Sequence, residues 1–214
     1  MSNKYLYLFL IIIISCHKPY ESVGVNLNVT EVPHLENWGF HAKELITLWS
    51  PRIAQILDVE DYPHNVDLTI KKSDDGIAFT NSNSITVSSY WIEKYPKDIG
   101  LIVHEAVHMV QLYPEFEPGW VTEGIADYIR WHLYEKKPLD WFPIDEDKKG
   151  YEAAYRITGG FFLWITLHKN ADFMKILNTS MKNIEYEDTI FFLYTGNDLD
   201  ALWQEYIQFR KENP

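Results

Sequence analysis

The sequence predicts an α+β fold, a small N-terminal mixed β-sheet with a candidate active-site helix, followed by a mainly helical C-terminal lobe. Three observations lead there. Short apolar–polar alternations cluster between Val66 and Ser88, helical spacing of apolar residues dominates from Pro96 onward, and a further helical stretch precedes the strands. With 214 residues, 46% of them apolar, the chain is long enough and greasy enough for one sizeable core.

From the N-terminus, Tyr5–Ile14 is an apolar run of ten residues without a charge. As a helix it would reach about 15 Å, half of a ~30 Å hydrocarbon core, so it suits a signal peptide and not a membrane span. The run ends in Ile13-Ile14-Ser15-Cys16, which resembles a bacterial lipobox, where the cysteine is lipidated and becomes the new N-terminus. The expected organisation is therefore a signal peptide over residues 1–15, a lipidated N-terminus and linker over 16–30, and a catalytic domain over 31–214. Within the linker, His17–Asn28 reads as a tether. The expected location is outside the cytoplasm, anchored to a bacterial membrane on its periplasmic or cell-surface face.

Trp38–Asp58 carries Phe40, Leu45, Ile46, Trp49, Ile53, Ile56 and Leu57 at helical spacing, with a bend expected at Pro51. Val66–Ile70, Ile77–Thr80 and Ser84–Ser88 read as strands, and Tyr90–Tyr95 as a short helix. Helices are expected over Lys97–Tyr113, Trp120–Tyr134, Tyr151–His168, Ala171–Lys182 and Leu199–Lys211.

Composition narrows the function. The net charge is −12, which argues against nucleic acid as a partner. Cys16 is the single cysteine, so no intrachain disulfide or cysteine-ligated metal is available, and any metal must be held by nitrogen and oxygen. A monomer is expected.

The chemistry sits in His104-Glu105-Ala106-Val107-His108, an H-E-x-x-H pattern. On a helix the two imidazoles lie at about 0° and 40° and Glu105 at about 100°, off an apolar stripe formed by Ile99, Val103, Ala106, Val107 and Val110. Hydrolytic zinc requires a third protein ligand and an open corner. The metzincin continuation fails, because Gln111 and Pro114 stand where Gly and His would be needed. A Glu on the next helix is the other common solution, and Glu123 supplies it, with Asp127 four residues on along the same face. Such a carboxylate can accept the outer N–H of a liganding His and fix its tautomer. His132 lies on the opposite side of that helix and is rejected as a ligand.

This E-x-x-x-D after H-E-x-x-H is similar to thermolysin-type gluzincins, which implies Glu123 as zinc ligand and Asp127 as brace of His104. Three blocks resemble one family more closely: Leu101–Gln111, Thr122–Arg130 and Gly150–Arg156 look like the basic secretory protein family, zinc peptidases of plants and bacteria. The likeness runs roughly from Glu31 to the C-terminus. It implies a zincin-like fold, a Zn2+ cofactor held by His104, His108 and Glu123, and a peptide or protein substrate. The acidity of this chain leaves any role of a basic family surface unimplied.

On this reading a zinc-bound water attacks the peptide carbonyl, Glu105 takes its proton and passes it to the leaving amine, and a second donor steadies the oxyanion. Tyr151 is the candidate donor, following a glycine at a helix start in the third block; Tyr155 and His168 are the alternatives. Arg156 pairs with a carboxylate or a substrate, or braces the fold. Either Ile77–Thr80 or Ser84–Ser88 is expected to lie along the cleft and pair with an extended substrate. Trp120, Trp131, Trp141 and Trp164 are candidates to line a sugar site, while Trp38, Trp49, Trp91 and Trp203 suit the core. The competing reading is a non-catalytic surface lipoprotein of the same fold that binds glycan or peptide.

Overall fold

A computed structural model describes residues 22–213; the expected signal peptide and the expected lipidation at Cys16 lie outside them. The architecture is α+β, with four strands and eight α-helices among the described residues. Strand β1 (Gly24–Asn28) leads into α1 (Glu36–Leu57), followed by β2 (Asn65–Lys71), β3 (Ala78–Asn81) and β4 (Ser84–Ser88). The sheet order is β1-β2-β4-β3, with β1, β2 and β4 parallel and β3 antiparallel to β4 at the edge.

β1 corrects the reading of His17–Asn28 as a tether. Gly24–Asn28 pairs with Asn65–Thr69, and alternate residues decide its faces, with Val25 buried beside Val66. Its five residues are too short, and too rich in Asn, for alternation to show in the sequence. The parallel pairing of β1 with β2 requires a crossover, which α1 supplies. Ala42, Ile46, Trp49, Ile53, Ala54 and Leu57 form its buried stripe at helical spacing. The helix runs on through Pro51, and the Ser50 hydroxyl donates to the Ile46 carbonyl at 2.7 Å.

Next come α2 (Ser89–Lys94) and α3 (Leu101–Gln111). The helix expected from Lys97 begins four residues later, because Pro96 and Gly100 hold the intervening chain in turns. All of α3 except His108 is buried, so it is the centre of the molecule, packed against α1, β3, β4 and α4 (Gly119–Asp127). Beyond Asp127 the expected single helix widens into a π-helical segment, Tyr128–Tyr134, marked by Glu135 N–H bonding to the Arg130 carbonyl at 2.9 Å.

The C-terminal lobe consists of α5 (Tyr155–His168), α6 (Phe173–Lys182), α7 (Thr189–Thr195) and α8 (Leu199–Glu212). The periodicity left α7 unassigned; it is a seven-residue helix closed by Gly196 in the left-handed region. Helix α5 does not start at Tyr151 as expected. Gly150–Ala153 forms a 3-10 turn, and Ala154 then takes φ 61 and ψ −169, a region normally left to glycine, before the α-helix begins. Phe161, Trp164, Phe191, Trp203 and Tyr206 pack edge-on and offset into an aromatic core.

Helices α4 and α5 approach unusually closely. A Cβ on Gly124 would stand 2.3 Å from Thr158 Cγ2 and 2.9 Å from Phe162, and one on Gly159 would stand 3.0 Å from the Tyr128 nitrogen. Only hydrogen at these positions permits the contact. Gly124→Ala is expected to destabilise the fold by about 1–3 kcal/mol through overpacking, exceeding the ~1 kcal/mol gain in helix propensity. Urea unfolding of the variant measures this, and unchanged or increased stability would show that the two helices can separate freely.

Candidate metal centre

The helical spacing expected of H-E-x-x-H is realised on α3, and α4 crosses it so that Glu123 meets both imidazoles. His104 Nε2 and His108 Nε2 lie 3.0 Å apart, His104 Nε2 and Glu123 Oε2 3.1 Å, and His108 Nε2 and Glu123 Oε2 3.5 Å. Three lone-pair-bearing atoms do not converge this tightly without a cation or proton among them. Bonds of 2.0–2.1 Å to a tetrahedral zinc would place ligand atoms about 3.3 Å apart, so the donor set and its spacing fit such an ion.

The outer nitrogens are equally committed. His104 Nδ1–H donates to Asp127 Oδ1 at 2.8 Å, which orients the ring so that its Nε2 faces Glu123. His108 Nδ1–H donates to Gln111 Oε1 at 2.8 Å, while Gln111 Nε2 donates to the Thr122 carbonyl at 3.2 Å and ties the end of α3 to the start of α4. Gln111, which breaks the metzincin pattern, thus braces His108, and its place one turn after that histidine is the signal for it in the sequence.

Electrostatics agree with geometry. Burial alone would lower the His104 pKa, but hydrogen bonds to Asp127 and then Glu123 outweigh it and raise the imidazole to about 10. Burial alone would raise Glu123, and the hydrogen bonds from His104 and His108 instead bring it down to about 2. The pocket is built to hold positive charge.

Glu105 is buried at the same cleft, and Thr80 on the edge strand β3 fixes it. The Thr80 hydroxyl shares its hydrogen between Glu105 Oε2 at 2.7 Å and the Glu105 carbonyl at 3.0 Å. This contact was not foreseen, since nothing in the spacing links residues 80 and 105. Of the two strands proposed to flank the cleft, β3 is the one at the edge, and Ala78–Ser82 line a cavity of about 1100 Å³ together with His104, Glu105, His108 and Glu123.

Tyr151 does not reach this cleft. It is 2% exposed, its hydroxyl donates to Asp200 Oδ1 at 2.8 Å, and its ring packs on Trp120, Phe161 and Trp203. The break at Ala154 shifts the helical phase, so the alternative, Tyr155, faces α3. Its ring lies nearly parallel to His104 with centroids 6.3 Å apart. The Glu123 carboxylate, then burial, then Asp127 and Glu105 push the Tyr155 phenol upward, keeping it a donor at neutral pH. His168 packs on Phe209 and Trp164, away from the cleft, and His132 Nδ1–H donates to the Lys137 carbonyl at 3.0 Å. Of the tryptophans considered for a sugar site, Trp164 is core, Trp120 packs among Tyr151, Phe162 and Phe191, and Trp131 lines the cleft with Trp141 behind it.

Residues 48–206 match the sequence profile of the family described as a peptidase of plants and bacteria (BSP). The match covers most of the chain and spans the whole His104–Glu123 constellation, and the chain belongs to this family. No curated protein and no solved structure matches it.

With His104 protonated in the metal-free protein up to about pH 10, metal uptake must displace that proton. The raised pKa stabilises the metal-free fold fully below about pH 6.5 and is lost as pH rises through 10, whereas apparent metal affinity should rise about tenfold per pH unit over that window. Calorimetric titration with zinc at pH 7 in buffers of different ionisation enthalpy should give about one proton released per ion. Release of none would contradict a charged His104.

Proposed function

We propose that this member of the plant-and-bacterial peptidase family is a zinc-dependent metallopeptidase, held outside the cytoplasm by a lipid on Cys16. The observation that carries the reading is the pairing of an N,N,O donor set with a carboxylate, Glu105, fixed beside it along an edge strand. His104, His108 and Glu123 would hold the ion, which when bound supplies Lewis acidity, polarising a carbonyl and bringing the pKa of water toward about 7.

The chain's own groups do the rest. Glu105, with Oε2 tied to Thr80, presents its other carboxylate oxygen to accept a proton from the attacking water and returns that proton to the departing amine. The Tyr155 phenol is placed to donate to the oxygen that gains charge as the carbonyl is attacked. An extended substrate adds to the free edge of β3, so its backbone is aligned before reaction. A binding protein of the same fold would have no use for an ordered Glu105, which favours catalysis over the glycan- or peptide-binding alternative.

The lipid anchor rests on the Ser15-Cys16 signature, and among the described residues no helix is long and apolar enough to cross a membrane. Eight residues beyond Cys16 the sheet begins, so a lipid there would keep the domain within roughly 30 Å of the bilayer.

Glu105→Gln should bind zinc like wild type yet lose about 10²- to 10⁴-fold in peptide turnover. Tyr155→Phe should lower kcat about 10²-fold, whereas Tyr151→Phe should leave kcat unchanged and cost about 1 kcal/mol of stability. Wild type that binds zinc but turns over no peptide would favour the binding-protein reading. In cells, Cys16→Ser should move the protein from the membrane to the soluble fraction and remove incorporation of labelled palmitate; retention on the membrane with no label in either form would contradict the anchor.

A further inference from the structure

We infer that Arg156 is the carboxylate-recognition residue of the cleft, and that preferred substrates carry an acidic group near the scissile bond. The group is either an Asp or Glu side chain or the substrate's own C-terminal carboxylate. This rests on the peptidase reading above and adds a substrate class to it.

Of the acidic and guanidinium side chains that line the cleft, all but one are paired. Its four acidic side chains are all engaged: Asp98 with Arg130 and the Trp91 indole, Glu105 with Thr80, Glu123 with both imidazoles, and Asp127 with His104. Of the two guanidinium groups that line it, Arg130 is bound to Asp98 and Glu135. Arg156 alone has no carboxylate or hydrogen-bond partner among the described residues.

Its side chain is exposed, yet it rests on aromatic surface. Its Cζ lies 5.6 Å from the Trp141 ring, Trp141 packs on Trp131 at 4.8 Å, and Arg130 lies 4.1 Å over the other ring of that pair. An aromatic shelf thus carries two guanidiniums, one neutralised and one free, and a cation–π contact leaves the planar N–H fork available for a carboxylate. The position is useful, because Arg156 follows Tyr155, whose ring faces His104.

The test uses four matched pools of hexapeptides, with Glu or Gln at a fixed internal position and a free or amidated C-terminus. Cleavage by the zinc-loaded enzyme is read by mass spectrometry, and retention of the same pools is measured on immobilised zinc-loaded Glu105→Gln protein. One carboxylate-bearing pool should be favoured over its neutral partner by about 10- to 100-fold, in cleavage by wild type and in retention on Glu105→Gln. Arg156→Gln should abolish that preference, mainly through KM, and Arg156→Lys should retain part of it. The favoured pool distinguishes a side-chain carboxylate from a terminal one. Cleavage without preference, or a preference unchanged in Arg156→Gln, overturns the role of Arg156 and leaves the peptidase reading intact. Absence of cleavage in every pool defeats that reading instead; retention then decides the matter, carboxylate-selective binding lost with Arg156→Gln supporting the inference and unselective or absent binding overturning it.

Discussion

Two imidazole nitrogens and a carboxylate oxygen gathered within 3.0–3.5 Å of each other, in a largely water-excluded pocket, make the rest of the structure necessary. Left alone, such a cluster pays desolvation for three polar groups and gains little. It becomes favourable only with positive charge at its centre, and Asp127 and Gln111 orient the two imidazoles for that purpose, while Thr80 fixes the neighbouring Glu105. Removing one member would leave the others unpaired, which is why the set behaves as one unit.

The fold meets the geometric demand with rigid elements. Helix α3 is buried almost all round, so His104 and Glu105 have no freedom to drift. Helix α4 brings Glu123 and Asp127 from a neighbouring rod, and its glycine-mediated contact with α5 pulls Tyr155 and Arg156 up to the same cleft. The sheet contributes its edge, with Thr80 serving both the strand and the carboxylate. The strained backbone at Ala154 and Tyr155, both at positive φ, sits where the cleft wall turns into α5, the kind of place where strain is retained for function.

Much of this was legible in the residues, for a physical reason. Helical periodicity converts a spacing of four into a shared face, so His104, His108, Glu123 and Asp127 declared themselves on two helices, and the need for a third ligand joined the helices together. What periodicity cannot report is a change of phase. The 3-10 turn and the break at Ala154 rotate α5 relative to the pattern, so Tyr151 turned into the core and Tyr155 into the cleft. The π-helical segment after Asp127 was hidden for the same reason. Strand β1 was missed because five residues beside a signal-like region carry too little alternation, and Thr80 because contacts between distant residues leave no local mark.

The most direct test of the central claim is X-ray absorption at the zinc edge of the zinc-loaded protein, in wild type and in Glu123→Ala and His108→Ala. Wild type should show a shell of about four nitrogen and oxygen atoms at roughly 2.0–2.1 Å with the scattering pattern of two imidazoles, reduced to one in His108→Ala and altered or lost in Glu123→Ala. A wild-type shell without imidazole scattering, or one indifferent to both substitutions, would contradict the claim.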